Sequence, residues 1–161
     1  MINKLSNNKL LVSILYCLPF LLMIDSWLRM VLFVAGVIFG IVLLIADEKY
    51  LLKYYAEKSQ QDDQFADSVL ISRSTLFLLL LVPLSFFVVS STSGALGKGF
   101  VLGILLGLVQ EMWLLKKNVI LFQKRFLSQL KKSLDPSQIE LLVIVATFYF
   151  LLISIWSALM K

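Results

Sequence analysis

Arg73 and Glu111 each stand about one helical turn inside an apolar run. A charge within a membrane span faces the bundle interior and seeks a partner. Arg73 lies about four residues into its run, and Glu111 about four residues before its own run ends at Leu115. If the runs cross a membrane in alternating directions, both charges reach a similar depth, roughly 6 Å inside the same boundary at about 1.5 Å per helical residue. The spacing therefore predicts an Arg73–Glu111 ion pair, assisted by Gln110, Ser72 or Ser74. Asp47, Glu48, Gln110 and Glu140 fall at the same level and could ring a polar mouth for an ion or small molecule. The plainer account is that helix ends meet water and collect charge, and that Glu140 sits near a first helical turn, where the dipole favours an anion. No acid lies near the centre of an apolar run, which argues against a proton relay.

The rest of the catalytic inventory is thin. The chain has no histidine, so Ser-His and Cys-His pairs and most zinc sites are excluded. Its one cysteine, Cys17, lies in an apolar run and reads as a small apolar filler. Ser90–Gly99 superficially suggests a phosphate loop, but Gly99 follows Lys98 where a Ser or Thr is required, and the glycine spacing is wrong. These residues predict a non-enzymatic protein with no cofactor and no metal.

The glycines carry a clearer message. Gly36 and Gly40 are four apart in one apolar run, and Gly99, Gly103 and Gly107 form a four-residue ladder that continues to Glu111. Glycine costs about 1 kcal/mol against alanine in a helix interior in water, so three at one spacing need a packing reason. Between membrane helices that reason is close backbone approach. The ladder packs within one subunit, against Gly36 and Gly40, or against a second copy of the chain, or it forms a wall of a narrow pore or ligand cleft.

The elements that must position these residues are long and apolar. Of 161 residues 60% are hydrophobic, and the mean hydropathy is +0.91. The chain reads as an all-α integral membrane protein. About five spans are predicted, over 10–24, 27–46, 69–90, 97–115 and 139–159, in a single transmembrane domain 1–161. The first is short and interrupted by Pro19, but no small-residue cleavage site follows it, so it reads as an uncleaved, kinked span. Pro83 predicts a kink in the third.

Basic residues set the orientation. With the amino terminus in the cytoplasm and the carboxyl terminus outside, most of the 15 Lys and Arg residues fall on the inner side of a plasma membrane. The stretch 117–134 repeats apolar residues at helical spacing, with Lys117, Lys124, Arg125, Lys131 and Lys132 filling much of the remainder. It predicts a basic amphipathic helix on the inner surface, its cations on anionic lipid headgroups. Asp135, Pro136 and Gln138 supply a cap, a first-turn proline and a capping-box glutamine for the last span. The expected partners are the lipid bilayer and its anionic headgroups, with a homo-oligomer or another membrane protein as further candidates and no nucleic acid. The expected role is assembly or interaction. The alternative is a small oligomeric channel or transporter with an inward-facing charged mouth.

Overall fold

The computed structural model describes residues 12, 15–17, 26–47, 74–91, 94–127 and 134–159. These are helical, with no strand among them: α1 (Trp27–Ala46), α2 (Thr75–Ser91), α3 (Ala95–Leu115), α4 (Val119–Phe126) and α5 (Pro136–Leu159). Residues 15–17 are also helical. Three helices, α1, α3 and α5, are long and apolar enough to cross a membrane, whereas α2 is shorter at 17 residues.

α3 is the central element. It buries residues on nearly every side, from Lys98 to Met112, as expected for a helix that is apolar all round. α1 instead buries a single stripe: Phe33, Gly36, Val37, Gly40, Ile41 and Leu44. That alternation of three and one residues turns one face of a 3.6-residue helix toward α3. Gly36 faces the backbone of Leu96–Phe100 and Gly40 that of Phe100–Ile104, so α1 and α3 run parallel. α5 runs antiparallel to α3, with Trp113 bonded to Thr147 and Lys116 beside Glu140. α2 runs parallel to α5, linked through Ser85–Tyr149 and the tilted ring pair of Phe86 and Trp156.

Local chemistry fixes the helix starts. The Ser74 hydroxyl accepts from Phe77 N–H at the start of α2. At α5, the Asp135 N–H donates to Gln138 Oε1 at 3.2 Å, the return half of a capping box, and Pro136 opens the helix. α4 begins behind Asn118, whose Oδ1 accepts from Leu121 N–H.

The basic helix differs from the expected 117–134. A turn at Lys116–Lys117 separates it from α3, and it ends at Phe126, where Leu127 leaves helical geometry (φ −125°, ψ 24°). The physical reason is a cap from elsewhere in the chain. The Thr75 hydroxyl donates to Phe126 O at 3.0 Å and satisfies one of the orphaned last-turn carbonyls. Residues 128–133, with Lys131 and Lys132, lie outside the described residues, and Leu134 is not helical.

Candidate functional site

The two glycine pairs meet each other. A Cβ on Gly36 would strike Leu96 O and come within 2.8 Å of Phe100 N; one on Gly40 would strike Phe100 O and come within 3.0 Å of Ile104 N. In the opposite direction, a Cβ on Gly99 would collide with Phe33 O, and one on Gly103 with Val37 O. Four glycines thus let two backbones touch over two helical turns, close enough for weak Cα–H···O contacts. Gly107 is different, because a Cβ there meets the tip of the Leu44 side chain at 2.6 Å. The ladder is consumed inside one chain rather than presented to a second copy.

One turn beyond Gly107 the seam ends in charge. Glu111 is 1% exposed. Arg125 Nε lies 2.6 Å from Glu111 Oε1, a close approach of opposite charges rather than an aligned N–H···O bond. α4 delivers this arginine by burying Phe122 and Phe126, whose tilted rings lie 5.1 Å apart and press the helix against the bundle end. Removing an uncompensated carboxylate from water costs several kcal/mol, and a cation beside Glu111 offsets that cost. Arg125 therefore leaves the set of surface cations to which the sequence assigned it. Lys117 and Lys124 remain exposed. Arg73, the expected partner of Glu111, lies outside the described residues.

The remaining mouth residues do not converge in the described structure. Asp47 caps the end of α1, and Glu48 lies outside the described residues. Glu140 is outward, its side chain 64% exposed, with Lys116 Nζ at 3.9 Å. Lys116 also stands 3.8 Å over the Trp113 ring. Gln110 Nε2 is buried without a hydrogen-bond partner among the described residues. The described groups show ion pairs at one bundle end, with no polar cavity drawn from these residues.

No family model, curated protein or solved structure matches this chain.

Several polar links escaped the sequence reading. Tyr149 hydroxyl donates to Val82 O and bonds Ser85 Oγ, both at 2.7 Å, beside Pro83. Tyr16 hydroxyl bonds Ser154 Oγ at 2.8 Å, and Ser154 in turn donates to Phe150 O. The signal was there: Tyr and Ser inside apolar runs must find partners once buried. Cys17 is buried, as an apolar filler would be.

Proposed function

We propose that this chain is a non-enzymatic, multi-pass membrane protein that works by lateral association, using faces other than its glycine seam. The observation that carries this reading is the apolar exposure of α2, α5 and the outer face of α1, once the glycine seam is internal. Among the described residues, the surface built for close backbone approach joins α1 to α3, so lateral association falls to α2, α5 and the outer face of α1. Those faces are broadly apolar, with Phe39, Leu79, Phe87, Leu141 and Phe148 prominently exposed.

The orientation proposed is amino terminus inside, with five crossings formed by the first apolar segment, α1, α2, α3 and α5. Two facts support it. Lys116, Lys117, Lys124 and Arg125 share the bundle end where α3 finishes, whereas Arg29 and Lys98 belong to the end where α1 and α3 begin. The parallel run of α1 and α3, with one helix between them in sequence, is what alternate crossing requires. The Glu111–Arg125 pair then works as a lock holding α4 at the inner boundary. Purification in mild detergent with mass measurement and identification of bound proteins tests the proposal. A defined oligomer or a stoichiometric partner is expected, and a monomer carrying no protein would refute lateral association.

A further inference from the structure

α2 and α5 are pinned together at one level and part at another. The pin is the Tyr149–Val82–Ser85 group, continued by Phe86 against Trp156. Toward the α4 end from this pin, a groove of about 420 Å³ opens between them. Its floor is α3 through Leu108 and Met112, its walls include Leu78 and Ala146, and Leu127 lies at its end. Thr75 and Tyr149 bring the hydroxyls into its lining, and both are already engaged, with Phe126 O and with Val82 O. The lining offers a polar solute no free hydroxyl donor and is otherwise apolar, so an occupant that is apolar along its length fits it best.

Two observations choose among apolar occupants. The groove follows α2 from Thr75 to Val82, about 10 Å at roughly 1.5 Å per residue, which lies within one leaflet of a hydrocarbon core about 30 Å thick. Its α4 end adjoins a basic helix, with exposed Lys124 one turn before Leu127 and exposed Lys117 just ahead of α4. An apolar slot ending beside a basic helix matches the acyl chain and anionic head of one lipid. From this charge complementarity we infer that the groove holds an acyl chain of an anionic inner-leaflet phospholipid, with its phosphate at the Lys117/Lys124 surface. The inference rests on the membrane orientation proposed above.

The test is reconstitution into vesicles of equal phosphatidylglycerol and phosphatidylcholine, extraction in mild detergent, and native mass spectrometry of the retained lipid. The wild-type chain should retain phosphatidylglycerol, with a preference of roughly thirty-fold from two lysines at the surface. Ala146→Trp, which fills the groove, should lose the bound lipid. Lys117→Gln with Lys124→Gln, both at exposed positions, should keep a bound lipid but lose the preference. Equal retention of the two lipids by the wild-type chain, retention of none, or a dimer that excludes lipid and is broken by Ala146→Trp would each overturn the inference. Alkaline extraction of native membranes separates the two levels. A chain that stays in the membrane yet retains no lipid refutes the groove alone, and a chain released as soluble protein refutes the membrane reading as well.

Discussion

Gly103→Ala places a methyl group where two backbones meet. The new Cβ would collide with Val37 O and stand 2.8 Å from Val37 Cα, against 3.4 Å for the shortest ordinary contact, so α1 and α3 must part by at least about 0.6 Å there. A gap of that size forfeits about a quarter or more of the dispersion energy of each facing atom pair. The loss extends along the seam, because Phe33, Val37, Ile41 and Leu44 all pack on the same stripe. Overpacking of this kind costs about 1–3 kcal/mol, and the better helix propensity of alanine returns up to about 1. The net expectation is about 1–2 kcal/mol, roughly a five- to thirty-fold shift in the unfolding equilibrium. Gly107→Ala is the internal control. Its Cβ meets only Leu44 Cδ1, the end of a side chain that can rotate away, so the same chemical change should be near neutral. Gly94→Ala meets nothing within 4 Å, and because Gly94 is the N-cap of α3 any loss there reports capping rather than packing. Unfolding by titration with a denaturing detergent, following helix content, compares the three variants with wild type. Equal stability for Gly103→Ala and Gly107→Ala would refute the seam as the source of the cost.

Further expectations follow from the polar contacts. Arg125→Met strips a buried carboxylate of a cation and should cost about 2–3 kcal/mol, somewhat below the roughly 3–5 of a fully buried pair because Arg125 keeps 27% of its side-chain exposure. Adding Glu111→Gln should recover most of that loss, and strictly additive thermal shifts would show the two residues uncoupled. Tyr149→Phe should lower stability by about 0.6–1 kcal/mol, since Ser85 still donates to Val82 O; no change in thermal midpoint would contradict the pin. Glu140→Gln should change stability by less than about 0.5 kcal/mol, because its pair with Lys116 is exposed, and a larger loss would mean Glu140 has a buried role.

Features carried by local pattern were legible in the sequence. α1 occupies Trp27–Ala46 as expected, and the glycines of its run meet the ladder of α3, because both facts follow from spacing along one helix. α3 starts at Ala95, two residues before the expected 97, and α5 starts at Pro136 rather than 139, where its capping residues had already pointed. α2 is described from Thr75, so the expected residues 69–73 lie outside the described structure. What failed was anything set by a distant part of the chain. Arg125 looks like its neighbours Lys117 and Lys124 in sequence, and only the burial of Phe122 and Phe126 turns it toward Glu111. The end of α4 depends on a hydroxyl 51 residues away, at Thr75. Asn118 was a local signal overlooked, an N-cap residue directly before an apolar helical run, as was Ser74 before α2.

The central claim is that the glycine seam joins two helices of one chain. Phe39 on α1 and Phe100 on α3 place their rings 5.7 Å apart across it. With Cys17→Ser removing the native thiol, Phe39→Cys and Phe100→Cys can be bridged in native membranes by a short bifunctional maleimide. The account predicts a cross-linked product with the mass of a single chain, unchanged by dilution with unlabelled protein. A product with the mass of two chains, disappearing on dilution, would contradict it.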